Sequence, residues 1–148
     1  MDGEPSEIYY WVQEANEYVK KFEHVLLAFN WEHMYTNVGT GSRSASNEAF
    51  DLVRDKVKPI TDVKKVTSKY DITMNEFSDK DGNKAFMLFN YDDPVYLRKN
   101  KVKMSFENAD GIMYYRKGEP TVEVLKDGAF EIELESGEGV FAIPLYKK

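Results

Sequence analysis

Two acidic clusters are the first residues whose types and spacing suggest chemistry. In residues 79–83, oxygen-bearing side chains stand at alternate positions (Asp79, Asp81 and Asn83), as at the start of a calcium loop. A calcium-binding EF-hand loop needs further oxygen ligands and a distal bidentate glutamate within about twelve residues. None stands at the right place here. Asp-Gly between two apolar runs is typical of a β-hairpin, so we predict a hairpin turn.

The second cluster is the adjacent pair Asp92 and Asp93. Paired carboxylates act as general acid and base in glycoside hydrolysis, but adjacent acids at the exit of a strand usually cap and solubilise a turn. A row of glutamates that alternates with apolar residues predicts the solvent face of a strand; it consists of Glu131, Glu133 and Glu135. We therefore predict no catalytic residue.

The sequence contains no pattern typical of a metal site or of a catalytic nucleophile. His24 and His33 are the only histidines, and two histidines make a poor metal site without a third ligand. The chain has no cysteine, which excludes thiol catalysis, cysteine zinc sites and disulfides. No serine lies in a nucleophile-elbow pattern, and no glycine-rich phosphate loop precedes a helix. We predict no metal, no cofactor and no enzyme activity for this chain by itself.

Aromatic residues provide the remaining candidate site. They make up 14% of the chain, and cross-strand packing in a sheet explains most such residues. Trp31 and Tyr35 are four apart in a predicted strand, where such residues share a face. They are our candidate carbohydrate-binding residues, forming a sugar platform beside the glycine- and serine-rich loop at 39–47. The alternative is core packing against the helix.

Length and charge narrow the class of protein. The chain has 148 residues and a net charge of −6, enough for one domain, or for one domain plus a packed appendage. Lysine and arginine are spread along the chain, which argues against nucleic acid and against an anionic membrane as partner. Residues 1–7 are acidic and resemble no signal peptide. No feature of the sequence identifies the cellular compartment.

One strong helical pattern stands at the N-terminus. Apolar residues recur at spacings of three and four between residues 6 and 29, which predicts one long amphipathic helix. The stripe consists of Ile8, Val12, Ala15, Val19, Phe22, Leu26 and Phe29. Trp11, Tyr18 and Val25 widen this stripe, so the helix must pack on something large: either the sheet or another domain.

The rest of the chain predicts an antiparallel β-sandwich. Short alternating runs recur from residue 63 to residue 145, with turn signals about every 8–12 residues. Residues 85–89 are continuously apolar and predict a central strand, and residues 108–111 predict a turn. Residues 48–57 are ambiguous between helix and strand, although Phe50, Val53 and Val57 fit a short helix. We predict residues 1–60 as a helix with a connecting segment and 61–148 as the sandwich, together forming one compact unit.

Three stretches of the chain share a pattern with a known family: the helix at 8–22 with its continuation at 26–34, the hairpin at 75–91 with its DGNKAFMLFN run, and the closing residues 135–145. Together they resemble the tail of bacterial TIM-barrel glycoside hydrolases similar to β-galactosidases. In that family a helix and a connecting segment follow the catalytic barrel, and a C-terminal β-sandwich comes next. The resemblance covers most of the chain.

The resemblance implies a non-catalytic C-terminal accessory domain. Its partner would be the catalytic barrel domain of the parent chain, on which it packs and which it stabilises. The barrel and its catalytic carboxylates are absent here, so no catalytic residue carries over. The isolated domain should then expose an apolar patch and tend to self-associate. The alternative from a different class is a carbohydrate-binding module, with carbohydrate as the partner.

Overall fold

A computed structural model describes residues 4–41, 62–92 and 94–146. Residues 48–57 and most of the loop predicted at 39–47 lie outside these ranges. The described residues form one helix, nine strands and a short 3₁₀ turn. In chain order they are α1 Glu7–Leu26, β1 Phe29–Asn37, β2 Val63–Ser68, β3 Ile72–Asp79, β4 Lys84–Asn90, the 3₁₀ turn Pro94–Tyr96, β5 Asn100–Phe106, β6 Ala109–Arg116, β7 Glu119–Val124, β8 Ala129–Leu134 and β9 Gly139–Tyr146.

The strands form two antiparallel sheets, and the predicted fold class is confirmed. The larger sheet has the order β1-β3-β4-β9-β6-β7, and the smaller has the order β2-β5-β8. Strand β4, predicted as central, lies between β3 and β9. Side chains from the two inner faces make one core, in which the rings of Phe86 and Phe106 lie 5.9 Å apart. Alternation along most strands therefore buries one face in the sandwich, whereas every residue of the edge strand β7 is exposed.

Strand β1 belongs to the larger sheet. It pairs with β3 from Phe29 to Asn37, so part of the segment predicted as a connection contributes an edge strand to the sandwich. The predicted end of the helix at Phe29 is wrong: α1 ends at Leu26, and Phe29 already pairs with Asp79. Phe29 continues the helical spacing in sequence, but pairing with β3 satisfies its backbone groups in a sheet instead.

The turn predicted at residues 108–111 is also misplaced. Strand β6 already starts at Ala109, which is buried and whose backbone pairs with Tyr146. Glu107 and Asn108 carry the chain from the smaller sheet to the larger one. Ala109 and Gly111 fit inside a strand here because small residues are needed where the chain enters the core.

Helix α1 packs on the outer face of the larger sheet through its C-terminal part only. Phe22 is its one buried residue, and its ring stacks on Tyr115 at 5.0 Å and lies 5.9 Å from Phe141. Val25 and Leu26 pack beside it on the same cluster. The backbone at Phe22 is non-helical (φ −128°, ψ 16°), so the helix kinks at its anchor.

The part of α1 before the kink stands largely in solvent. We call residues 7–19 the N-terminal arm. Its large apolar residues are exposed, with Trp11 at 63%; the others are Ile8, Tyr9, Tyr10, Val12 and Val19. The apolar stripe predicted for the helix is therefore present, but only its C-terminal third packs on this sheet. Helix α1, the only one in the described ranges, is not long and apolar enough to cross a bilayer.

Candidate functional site

A groove of about 610 Å³ opens between the N-terminal arm and one end of the larger sheet. Its volume lies in the range of about 300–1,000 Å³ that is usual for binding sites. Trp11 and Tyr18 of the arm form one wall, Phe89 and Tyr115 lie on its floor, and the β8–β9 turn at 135–139 forms the opposite wall. We call this end of the sandwich the groove end.

Strand alternation and one glycine make the floor. Met87 and Phe89 are the outward residues of β4, and Phe89 lies opposite Gly139 of β9. A Cβ at Gly139 would meet the Phe89 ring at 3.4 Å. A larger residue there would occupy the floor, so the absent side chain keeps the groove open.

An ion pair fixes the β8–β9 turn. Both carboxylate oxygens of Glu138 accept hydrogen bonds from Arg116 at 2.7 Å, and one also accepts from the backbone N–H of Glu135 at 2.8 Å. Burial by itself would raise the pKa of Glu138, but the guanidinium and the N–H outweigh it and hold the pKa below the usual range. The ionised carboxylate therefore ties the wall of the groove to strand β6 at neutral pH.

This pair gives a pH-dependent prediction. Glu138→Gln is expected to lower the free energy of unfolding at pH 7 by only about 1 kcal/mol, because Arg116 is 38% exposed and water screens the pair. A lowered folded-state pKa adds stability above the unfolded value, and that stability is lost as the pH falls through the folded value. In urea titrations, the difference between wild type and variant should thus shrink below pH 4.5. A difference that grows on acidification would contradict the assignment.

The two-residue β6–β7 turn lies directly against helix α1 at Tyr18 and Lys21. Gly118 has φ +80°, and a Cβ there would lie 2.8 Å from the backbone oxygen of Tyr18 and 2.6 Å from Cδ of Lys21. Only glycine combines this backbone conformation with so close an approach. Beside it, Lys21 Nζ lies 2.6 Å from Glu119. The turn thus sets the height of the arm above the sheet.

Most polar groups around the groove already have partners within the chain. The carboxylate of Glu135 lies 3.0 Å from Lys99, and Ser136 Oγ donates to the backbone oxygen of Asp92 at 3.2 Å. Glu14 accepts a hydrogen bond from the Tyr18 hydroxyl. The described lining therefore offers mainly apolar and aromatic surface, and these residues form no arrangement of nucleophile, base and orienting group.

The loop after β4 extends the apolar surface beyond the groove. The Arg98 guanidinium lies between the rings of Tyr70 and Tyr96, at 4.3 and 4.4 Å, and its Nε donates to Asp92 at 2.7 Å. The stacking of Arg98 between these two rings holds the tip of the loop, where Val95 and Leu97 are largely exposed. The groove end thus combines exposed apolar residues from the arm and from this loop.

The predicted sugar platform at Trp31 and Tyr35 is not assembled. Trp31 is 60% exposed and its Nε1 donates to Asn75 at 3.2 Å, whereas Tyr35 is 3% exposed and lies in the sandwich core. The register shifts between Trp31 and His33, which face Phe77 and Glu76. Glu32 is the extra residue of a β-bulge, and one extra residue turns every later side chain to the other face.

Tyr35 serves a buried polar network instead. Its hydroxyl donates to Glu76 at 2.7 Å, and the same carboxylate pairs with Lys84 at 2.8 Å. Burial, with the Glu76 carboxylate as a second cause, raises the pKa of Tyr35 well above its usual range. The expectation that Trp31 and Tyr35 share a face is therefore wrong; a carbohydrate role for Trp31 alone stays a prediction.

The hairpin prediction at residues 79–83 is confirmed. Strands β3 and β4 pair across it, and the Asp79 carboxylate accepts from the side-chain amide of Asn83 and from the N–H groups of Asp81 and Asn83 at 2.7–2.9 Å. The Asn83 amide is the main cause that lowers the pKa of Asp79. The carboxylate thus organises the turn.

The structure also places the other acidic residues that the sequence analysis considered for catalysis or metal binding. Asp92 pairs with Arg98, and Asp93 lies outside the described residues. The three glutamates predicted on a solvent face are exposed, and Glu131 pairs with Lys101 and Lys103. In the described ranges, no group of three histidine, aspartate or glutamate residues could hold a metal ion.

Comparisons with protein-family models, with curated proteins and with solved structures found no match to this chain.

Sequence reasoning missed the groove itself. Trp11 was assigned to the widened helical stripe, and nothing in the local pattern places the β8–β9 turn beside it. One signal was present: seven apolar residues along one helix face are more than a single sheet face covers. That excess points to an unfilled surface, although it does not locate the groove.

Proposed function

We propose that this chain is a non-catalytic accessory domain that packs on a larger catalytic domain and stabilises it. One observation carries the proposal: the apolar surface of the groove end, made by the N-terminal arm and the tip of the loop at 95–97. Exposed apolar residues that cluster on a folded domain, as those of the arm do, mark an interaction site.

The charges around that surface support a protein partner over a polar ligand. Asp92, Glu135 and Glu138 are neutralised by Arg98, Lys99 and Arg116. A sugar would need free hydrogen-bonding groups beside the aromatic rings, whereas packing against another domain needs apolar area and few unpaired charges. Around the β8–β9 turn and the loop after β4, these three acidic groups are paired and exposed apolar residues lie beside them.

The resemblance described above supports the identity of the partner. It implies a TIM-barrel catalytic domain of a glycoside hydrolase-like protein in the same parent chain, and a C-terminal sandwich as its accessory. Catalysis would lie in the barrel. The alternative, a carbohydrate-binding module, retains one of its two candidate residues, the exposed Trp31, because Tyr35 is buried, and is therefore the weaker candidate.

The test begins with the reading frame upstream of Met1. An in-frame barrel with two carboxylates at strand ends is the expected result, and a start codon and a stop codon that bracket residues 1–148 would contradict it. In the longer protein, amide hydrogen exchange in the N-terminal arm should slow by about 100-fold or more relative to the isolated domain. Amides of β5, which are buried in both proteins, are the internal control.

A further inference from the structure

Strand β7 ends the larger sheet with one side of its backbone unpaired. All of its residues are exposed, including Val122 at 64% and Val124 at 87%. Leu125, which follows the strand, donates its N–H to the backbone oxygen of Asp110 at 2.8 Å. Backbone groups alternate in direction along an antiparallel strand, so Val122 and Val124 turn their N–H and C=O groups away from β6. Among the described strands, none lies on that side of β7.

The other edges of the two sheets carry features that interfere with further pairing. Strand β1 has the bulge at Glu32, and the register of β2 shifts between Val63 and Lys65; bulges twist an edge away from an incoming strand. On β8, Arg116 donates to the backbone oxygen of Glu133 at 3.0 Å, so that group is already bonded. Strand β7 pairs with β6 without a register shift, and its regular row of free backbone groups matches another extended strand.

The residues of β7 are complementary to a second copy of the same strand. Two free edges pair only when their outward-pointing residues lie opposite one another. With Val122 opposite Val122 of the second copy, Val124 lies opposite Pro120, and these apolar side chains share one face of the joined sheet. On the other face Thr121 lies opposite Glu123. No two charged residues between 120 and 124 meet in this register, and apolar pairs directly opposite each other stabilise a sheet.

The neighbouring registers are disfavoured by charge. Because outward residues alternate with inward ones, the two strands can slide only in steps of two residues. One such step places Glu123 opposite Glu123, and the opposite step places Glu123 opposite Glu119. Like charges directly opposite each other are destabilising, and larger steps leave fewer residues paired. The charges of β7 therefore favour the register centred on Val122.

We infer that this chain forms a two-fold dimer through antiparallel pairing of β7 with β7, which joins the two larger sheets into one. The N–H of each Val122 donates to the C=O of the other, and the N–H of each Val124 donates to the C=O of Pro120 in the second copy. Pro120 has no N–H to donate, so the ladder ends there at both ends. The pairing uses up the free edge of both copies and is closed. The N-terminal arm and the loop at 95–97 take no part, so the inference does not rest on the proposed function.

A single introduced cysteine tests the register, because the chain has no cysteine of its own. In Val122→Cys the two cysteines lie directly opposite, at a Cα–Cα distance of about 5.5 Å, and a disulfide spans about 4.4–6.8 Å. We expect mild oxidation to convert most of this variant into a covalent dimer on a non-reducing gel. Val124→Cys is the matched control: it is more exposed, but its two cysteines lie four residues out of register, so about tenfold less dimer should form. Equal cross-linking of the two variants, or none in Val122→Cys, would overturn the inference.

A second pair of variants tests the backbone ladder without any cross-link. Val122→Pro removes the N–H at the centre of the dimer and none of the bonds to β6, whereas Val122→Thr keeps that N–H. Small interfaces, below about 1,200 Å², are typical of weak complexes, so sedimentation velocity should extend from about 10 µM to about 1 mM protein. Over this range the wild type and Val122→Thr should approach twice the monomer mass, and Val122→Pro should stay monomeric with an unchanged circular dichroism spectrum. A wild type that stays monomeric, or a folded Val122→Pro that dimerises equally, would contradict the pairing. If the proline variant does not fold, the cysteine pair decides alone.

Discussion

Asn100→Ala is expected to lower the free energy of unfolding by about 3–5 kcal/mol. Asn100 is fully buried at the start of β5. Its amide nitrogen donates to the backbone oxygen of Tyr70 and to Asn90 at 3.0 and 3.1 Å, and its oxygen accepts from the N–H groups of Lys69 and Tyr70 at 3.1 and 3.0 Å. Alanine would leave these four groups without that partner inside the protein, and urea titration measures the loss.

The control for this prediction is Asn30→Ala, at an exposed position on the edge strand β1. It should change the free energy of unfolding by less than about 0.5 kcal/mol. Asn90 also donates to the backbone oxygen of Glu135 at 2.9 Å, so the two asparagines join both sheets to the turn that walls the groove. If Asn100→Ala behaved like the control, the amide network would not hold the sheets together.

Phe22→Ala is expected to cost about 3–5 kcal/mol, the usual range for truncating a buried aromatic residue. Phe22 is the one buried residue of α1, and its contacts with Tyr115 and Phe141 fasten the helix to the sheet. Loss of the ring removes that anchor and opens a cavity. Chemical denaturation followed by circular dichroism gives the change in stability.

Val12→Ala is the matched control on the exposed arm. It shortens an apolar side chain of the same helix and should alter stability by less than about 0.5 kcal/mol in the isolated domain. If the two variants lost equal stability, the arm would be packed in solution and the groove would be closed. A loss of under about 1 kcal/mol for Phe22→Ala would mean that other contacts hold the helix.

The sequence predicted the elements that depend on local pattern. The alternation of Val102, Met104 and Phe106 identified β5, and Asp-Gly at 81–82 identified the β3–β4 hairpin, because side-chain period and turn chemistry are local properties. The helix was found for the same reason. Its end was placed three residues too late, since pairing of Phe29 with β3 is a tertiary effect that the helical spacing does not contain.

The candidate site was predicted less well, for two physical reasons. Trp31 and Tyr35 were paired by assuming regular strand geometry, and the bulge at Glu32 depends on the register with β3. The groove depends on segments that are distant in sequence, namely the arm, β4, the end of β6 with the β6–β7 turn, and the β8–β9 turn. The sequence shows only that α1 has more apolar residues than one sheet face covers. This surplus indicates that the helix has a further packing surface, but it does not locate the groove.

The position of β9 has a consequence for how the chain is made. This strand, Gly139–Tyr146, lies between β4 and β6 and, among the described strands, is the one that joins the two halves of the larger sheet. On the ribosome, β1, β3 and β4 emerge long before β9. The edge of β4 that pairs with β9 stays unpaired until residues 139–146 leave the exit tunnel. Sheet closure therefore waits for β9, and until then the open edges of β4 and β6 are available to pair with other strands.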